Sequence, residues 1–115
     1  MKKLLIVDDD MSLGEVLVTC MKKEGYEVQH EPDSRRALER LGKEQYDVVV
    51  LDIRMPGIDG LKILEQLAHE RPQTRAIIVT AFSSWDKTVQ AMRLGAFDYI
   101  CKPFDLDHFK RAVER

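Results

Sequence analysis

Five short apolar runs alternate with five amphipathic stretches along the chain of 115 residues. The runs have the length and β-branched content of buried strands, and they predict strands at about 3–7, 26–30, 47–51, 76–79 and 98–101. In the stretches between them, apolar residues recur at intervals of three and four residues, which is typical of helices that bury one face. Two of these helices are expected at about 11–23 and 84–94. The other three are expected to begin at Asp33 or Ser34, at Asp59 and at Asp105. The alternation predicts an α/β fold with a parallel sheet and right-handed crossovers.

The composition of the strands predicts their order in the sheet. The first, third and fourth runs are apolar throughout, as strands covered by helices on both faces are, so we place them in the centre. The second and fifth runs are shorter or alternate with polar residues, which suits edge strands. The order 2-1-3-4-5 satisfies both constraints and gives a doubly wound, flavodoxin-like sheet. Its winding reverses between strands 1 and 3, and a ligand crevice is expected at the carboxyl ends of those strands.

Composition and charge restrict the class of protein. Hydrophobic residues make up 44% of the chain and charged residues 33%, which predicts one soluble globular domain over residues 1–115. A net charge of −2 without a basic stripe argues against direct contact with nucleic acid. No apolar run approaches the roughly 20 residues that span a membrane, and Asp8 ends the first run too early for a signal peptide. Cys20 and Cys101 lie in apolar stretches and are expected to be buried thiols, so a cytoplasmic location is predicted.

Polar residues follow four of the five predicted strands at the same edge of the sheet. Asp8 and Asp9 follow the first strand, Asp52 the third, Thr80 the fourth and Lys102 the fifth. The carboxylates are oxygen ligands of the kind that Mg²⁺ prefers, Lys102 supplies a positive charge and Thr80 a hydroxyl. Together they fit a carboxylate that becomes an acyl phosphate.

Other polar residues have simpler explanations. Asp10 and Asp59 are expected to be helix N-caps, and Ser83 with Asp86 is the pattern of a capping box. Trp85 and Met92 are interpreted first as core residues, with an exposed output face beside Tyr99 as the alternative. The histidines show no metal-ligand spacing, and no role is assigned to any of them: His30, His69 and His108.

The joint pattern resembles the receiver domain of bacterial two-component response regulators, and the resemblance covers the whole chain. The residues that carry it are Asp8-Asp9, Asp52 with Met55-Pro56-Gly57-Ile58-Asp59-Gly60, Thr80-Ala81, and Gly95-Ala96-Phe97-Asp98-Tyr99-Ile100-Cys101-Lys102-Pro103-Phe104. A subset of positions is most similar to receivers of alternative-sigma-factor ATPase activators: Thr80-Ala81-Phe82, Val89, Ala91-Met92 and Gly95-Ala96-Phe97-Asp98-Tyr99-Ile100.

The resemblance implies a role for each site residue. Asp52 is then the phosphoacceptor, and a sensor histidine kinase supplies the phosphoryl group. The implied Mg²⁺ ligands are Asp9, Asp52 and the backbone carbonyl of Arg54, with Asp8 acting mostly through water. The implied phosphoryl contacts are Thr80 and Lys102, the implied switch residues are Thr80 and Tyr99, and the peptide bond between Lys102 and Pro103 is expected to be cis. Arg54 and Phe82 occupy positions expected to tune the lifetime of the acyl phosphate.

The resemblance also implies a signalling partner and an output. The protein would be a regulator rather than an enzyme, and phosphorylation would change the face formed by helix 4, strand 5 and helix 5. Helix 5 ends without a cap, so the domain is expected to be cut from a longer regulator with an ATPase or DNA-binding output domain beyond residue 115. A stand-alone receiver remains open, as does a homodimer that forms on phosphorylation.

Three other functions compete with this reading. A phosphatase with an aspartate nucleophile after strand 1 would use the Asp-x-Asp pattern at Asp8, but it leaves Asp52 without a nucleophilic role. A flavin carrier is disfavoured because an acidic loop after strand 1 would repel the flavin phosphate. A receiver-like scaffold that works without phosphorylation would have no need of the complete set of site residues.

Overall fold

The predicted alternation of strands and helices is present in the structure, a computed structural model that describes residues 1–81 and 84–115. The five strands are β1 Lys3–Val7, β2 Glu27–Glu31, β3 Val48–Leu51, β4 Arg75–Thr80 and β5 Asp98–Cys101. The five helices described are α1 Met11–Lys23, α2 Ser34–Lys43, α3 Gly60–Glu70, α4 Trp85–Arg93 and α5 Leu106–Glu114. Each predicted boundary agrees with these bounds to within one residue.

The strands form one parallel sheet in the order β2-β1-β3-β4-β5, which confirms the predicted topology. In the register of the sheet, Val7 pairs with Leu51, Leu51 pairs with Ile78 and Thr80 pairs with Cys101. The residues that follow these positions therefore lie at one edge of the sheet. The winding reverses between β1 and β3, as expected, which leaves a crevice between the loops that follow them.

The sheet has an apolar core on each face. Because side chains alternate along a strand, β1 and β3 contribute to both cores, and all their residues except Lys3 are apolar for that reason. One core includes α2, α3 and part of α4, and the other includes α1 and α5. The apolar spacing predicts that α3 and α5 bury Ile63, Leu64, Leu67, Ala68, Phe109, Ala112 and Val113. All of these are buried except Ala68, which is exposed.

The prediction for the buried face of α1 was partly wrong. The apolar spacing in this helix predicts a face formed by Leu13, Val16, Leu17, Cys20 and Met21. Leu17 and Met21 are buried as expected, but Val16 is 47% exposed. The face is centred on Gly14, whose position is so close to β2 that an added Cβ would lie 2.1 Å from the His30 ring. A glycine gives no apolar signal, so the sequence pattern placed the centre of the face incorrectly.

The expectation of two buried thiols was also wrong. Cys20 lies at the flank of the α1 face and is half-buried, and Cys101 is exposed at the end of the edge strand β5. Both are free cysteines. The positions of the two cysteines therefore do not support the prediction of a cytoplasmic location. No helix among the described residues is long and apolar enough to cross a membrane.

Helix α4 presents apolar side chains to solvent. Trp85 is 78% exposed and Met92 is 45% exposed, so the core interpretation of these residues was wrong and the alternative of an exposed face stands. The helix is capped by Ser84, whose hydroxyl accepts the Lys87 N–H at 3.2 Å. The predicted cap, Ser83, lies outside the described residues. The predicted caps Asp10 and Asp59 are confirmed.

Candidate functional site

The loop after β1 places one carboxylate inside the crevice and one at its rim. Asp8 is 2% exposed, whereas Asp9 is exposed. Asp8 Oδ1 accepts the backbone N–H of Asp10 at 3.0 Å. Asp10 in turn caps α1 by accepting the Leu13 N–H. The start of α1 thus fixes the direction of the Asp8 side chain.

Asp52 is the first residue after β3 and is held at both its backbone and its side chain. Its N–H donates to the carbonyl of Val7 at 2.9 Å, so the β1–β3 ladder extends to this residue. Its Oδ1 accepts the N–H of Arg54 at 2.9 Å. Asp52 is 6% exposed, and it lies beside Asp8 as the sequence predicts.

Lys102 joins the two buried carboxylates. Its Nζ lies 2.8 Å from Asp8 Oδ2 and 3.0 Å from Asp52 Oδ2. Its backbone N–H donates to the carbonyl of Thr80 at 2.9 Å, which extends the β4–β5 pairing. The peptide bond between Lys102 and Pro103 is cis.

The pKa values of these groups reflect the cost of burying charge. Desolvation raises the pKa of Asp8, although the hydrogen bond from Lys102 opposes that shift. For Lys102, burial by itself disfavours the ammonium, but the hydrogen bonds with Asp8 and Asp52 outweigh it and raise the pKa. The ammonium therefore stays charged at neutral pH and offsets much of the repulsion between the carboxylates.

The carboxylates suit a hard divalent cation. One oxygen from each of Asp8, Asp9 and Asp52 lies within 4.8 Å of the others, which brings all three predicted side chains together. Mg²⁺ keeps several waters and needs only one or two carboxylates, so this donor set fits it. Arg54, predicted to contribute its backbone carbonyl, is two residues beyond Asp52, and its N–H is anchored on Asp52.

The two predicted switch residues occupy neighbouring strands. Thr80 is fully buried at the end of β4. Tyr99 is half-buried on β5, where it packs against the core that contains α3 and α4 residues. Burial raises the pKa of the Tyr99 phenol. Of the predicted lifetime-tuning pair, Arg54 is exposed at the rim of the crevice and Phe82 lies outside the described residues.

Two residues at this site were missed by the reasoning from sequence. The Nε2 atom of His30 lies 2.7 Å from the backbone carbonyl of Asp8. The hydroxyl of Ser34, which is 2% exposed, bonds to the backbone of the loop after Asp52. His30 lacks metal-ligand spacing, and the sequence pattern around it indicates no other role. The strand register could have indicated it, because His30 pairs with Ile6, two residues before Asp8.

Comparison with known proteins places this arrangement in a family. The model of the response regulator receiver domain matches residues 4–114. Regulatory protein AtoC of Escherichia coli is 39% identical over 98% of this chain, which covers 24% of AtoC. Sporulation initiation phosphotransferase F of Bacillus subtilis is 36% identical over 99% of this chain, which covers 92% of that protein. The chain therefore spans about a quarter of some of its relatives and nearly all of another.

Solved structures give the same result. A CheY-like receiver domain protein from Methanospirillum hungatei superposes with a TM-score of 0.96 at 29% identity, over 99% of this chain and 91% of its own. The response regulator TrrA from Thermotoga maritima, in complex with Mg(2+)-BeF, superposes with a TM-score of 0.88 at 32% identity, over 99% and 97% of the two chains.

The raised pKa of Asp8 predicts that this carboxylate destabilises the metal-free protein. A group with a raised folded-state pKa contributes stability below its ordinary pKa, and that contribution is lost as the pH rises through the folded-state value. Without metal at pH 7, Asp8→Asn should therefore melt at a higher temperature than the wild type. The difference should disappear below about pH 4, where the carboxyl is protonated in both states.

Added Mg²⁺ should reverse the order, because the wild type gains more from binding the cation. Thermal denaturation with a chelator and with Mg²⁺ measures both effects. Asp9→Asn is the matched control: it removes an exposed carboxylate, so it should change the metal-free stability less while still weakening Mg²⁺ binding. A lower melting temperature for metal-free Asp8→Asn at pH 7 would contradict the assignment of electrostatic strain.

Proposed function

This chain belongs to the response regulator receiver domain family, and on that premise we propose that Asp52 accepts a phosphoryl group from a sensor histidine kinase. The observation that carries the proposal is the bridge from Lys102 to both Asp8 and Asp52. This bridge supports the proposal because a carboxylate that can act as a nucleophile, an ammonium and carboxylate oxygens that could bind a metal lie close together. The acceptor is a residue of the protein itself, so the domain acts as a regulator rather than as a catalyst of an external reaction.

Several residues of the chain have separate roles in the transfer of the phosphoryl group. An oxygen of Asp52 attacks the phosphorus of the phosphohistidine, a P–O bond forms, and the P–N bond breaks. The imidazole leaves with that electron pair and takes a proton from solvent. Mg²⁺ held by Asp8, Asp9, Asp52 and the Arg54 carbonyl would supply positive charge to the phosphoryl oxygens. The Lys102 ammonium, already 3.0 Å from Asp52, can turn from the carboxylates toward the same oxygens.

Phosphorylation should require Asp52 and Mg²⁺. Incubation with a small acyl phosphate and Mg²⁺ should add one phosphoryl group, as measured by intact mass. Asp52→Asn should gain none, because an amide oxygen cannot form a stable acyl phosphate. Asp59→Asn is the matched control, since asparagine also caps helices and Asp59 lies outside the site. Undiminished labelling of Asp52→Asn would disprove the assignment.

Thr80 and Tyr99 are proposed to pass the change from the site to the surface. Thr80 is buried at the end of β4, next to the backbone of Lys102, so its hydroxyl can move toward a phosphoryl group on Asp52. Tyr99 lies on the adjoining strand and can fill the space that Thr80 leaves. The surface that would change contains α4, β5 and α5, where Trp85 and Met92 are exposed.

A stable acyl-phosphate mimic should therefore shift the NMR signals of the Tyr99 ring and of residues in α4 and β5. Tyr26 is an internal control: it is also half-buried, but it packs against the other core, near β2. Its ring signals should stay within the range caused by added salt. Equal responses of the two tyrosines, or no response of Tyr99, would show that this element is not the switch.

Arg54 and Phe82 are proposed to slow hydrolysis of the acyl phosphate. Hydrolysis needs a water in line with the phosphorus, and neither side chain is a carboxylate or amide suited to orient one. Loss of that positioning should slow the reaction by about tenfold, or about 1.4 kcal/mol of barrier. The double variant Arg54→Asn, Phe82→Glu should lose its phosphate faster than the wild type in a time course of intact mass. An equal or slower loss would show that these positions do not control the water.

The output is proposed to lie in a further domain beyond residue 115. The support is that the chain covers 24% of AtoC and 24% of the DNA-binding transcriptional regulator NtrC of Escherichia coli. A domain that is cut from such a regulator would control ATPase or DNA-binding output, either directly or through a homodimer. The reading frame of the complete gene tests this. A frame that stops at once after residue 115 would instead indicate a stand-alone receiver, as in the relative that is covered over 92% of its length.

A further inference from the structure

Ser34 closes the turn that follows the phosphoacceptor. Its hydroxyl donates to the carbonyl of Pro56 at 3.0 Å and accepts the N–H of Ile58 at 2.9 Å. The two backbone groups flank Gly57, so one buried side chain satisfies both ends of the turn. Ser34 is the first residue of α2, and both of these hydrogen bonds are made by its side chain.

The turn is shaped to receive this hydroxyl. Gly57 has a φ of +95°, which residues with a side chain rarely adopt, and an added Cβ would lie 2.6 Å from Ser34 Oγ. Ser34 can therefore approach the backbone only because position 57 carries no side chain. The hydroxyl and the glycine fit closely against each other, although they lie in segments that are far apart in the sequence.

The backbone segment that carries Ser34 is itself held by hydrogen bonds. Asp33, and not Ser34, caps α2 by accepting the N–H groups of Arg35 and Arg36. The N–H of Asp33 donates to the carboxylate of Glu31, which is 4% exposed and pairs with Arg40. The Ser34 hydroxyl is thus not required as a cap, and it projects from a rigid junction between β2 and α2.

The contact between Ser34 and the turn restrains the backbone near Arg54. Its N–H is held by Asp52 Oδ1, and two residues further on the Pro56 carbonyl is held by Ser34. The Arg54 carbonyl lies between these two fixed points. Mg²⁺ demands near-ideal octahedral geometry at short distances, so a small displacement of a carbonyl ligand weakens binding.

We propose that Ser34 is a positioning residue for the metal site, acting through the turn at residues 55–58 on the backbone carbonyl of Arg54. The inference rests on the proposed function, since it needs that carbonyl to be a ligand. It adds a residue from the start of α2, outside the acidic cluster, to the set that determines affinity for the cation. Partners that orient a metal ligand typically change affinity by about 10–100-fold.

The test compares three variants by calorimetric titration with Mg²⁺ and by thermal denaturation. Ser34→Ala removes the hydroxyl and should weaken Mg²⁺ binding by about threefold to tenfold, because it acts one step further from the metal than a direct partner. Ser34→Thr keeps the hydroxyl and should stay within about twofold of the wild type by the same reasoning. Ser34→Cys, a weaker hydrogen-bonding group, should fall between them and replaces Ser34→Ala if that variant does not fold.

Thr74→Val is the matched control. The Thr74 hydroxyl donates to the carbonyl of Tyr46 at 2.7 Å, so this variant also loses one hydroxyl bond to a backbone carbonyl, but just before β4, at the opposite end of the sheet. Its melting temperature should fall, as for Ser34→Ala, while its Mg²⁺ affinity stays that of the wild type. A merely structural role for Ser34 would make the two variants alike.

Unchanged Mg²⁺ affinity in Ser34→Ala, or in Ser34→Cys where that replaces it, would overturn the inference, as would an equal loss of affinity in Thr74→Val. The phosphorylation assay separates this failure from that of the proposed function. If the wild type binds Mg²⁺ and is labelled on Asp52 while the Ser34 variants match it, only the role of Ser34 is wrong. If the wild type itself neither binds Mg²⁺ nor gains a phosphoryl group, the proposed function is wrong.

Discussion

The ammonium of Lys102 holds two buried carboxylates together, and the rest of the site depends on that interaction. Asp8 and Asp52 are 2% and 6% exposed, and burying a carboxylate without a partner costs free energy. Lys102 lies within hydrogen-bond distance of both. A buried charge set of this kind contributes little to net stability, since desolvation offsets the attraction. Its value is that it keeps charged groups in place for a reaction.

The fold brings these charges together through the register of the sheet. The Asp52 N–H continues the ladder from β1, and the Lys102 N–H continues the ladder from β4. The backbones of Asp52 and Lys102 are therefore fixed by hydrogen bonds, while their side chains can exchange partners. Because the backbone N–H of Lys102 bonds to the Thr80 carbonyl, a displacement of the Lys102 backbone would be transmitted to the strand that carries Thr80. This gives the proposed switch a physical connection from the site to β5.

The sequence predicts the fold well because its signals are local and agree with one another. Apolar strands, helix caps at Asp10 and Asp59, and polar residues after the strands all indicate the same parallel sheet. The buried face of α1 was misjudged, since Gly14 contributes close packing but no hydrophobicity. The exposure of Trp85 was misjudged because large apolar residues are usually buried, and an exposed one depends on surfaces that the pattern does not record.

Within the site, reactive side chains were found and supporting ones were not. Asp8, Asp52 and Lys102 each follow a strand directly, so the topology alone brings them together. Ser34 and His30 act through backbone atoms of other segments, at sequence separations of 22 residues or more. Their contacts depend on how loops fold against each other, and a hydroxyl at a helix start or a histidine on an edge strand has no distinctive local pattern.

In the proposed mechanism, Lys102 neutralises the carboxylates before the phosphoryl group arrives and then binds that group. The decisive experiment is titration of Lys102→Met with Mg²⁺, followed by its rate of labelling with a small acyl phosphate at saturating Mg²⁺. Mg²⁺ should bind this variant more tightly than the wild type, because the competing cation is gone, and labelling should be slower by about a hundredfold. Weaker Mg²⁺ binding, or labelling at the wild-type rate, would contradict it.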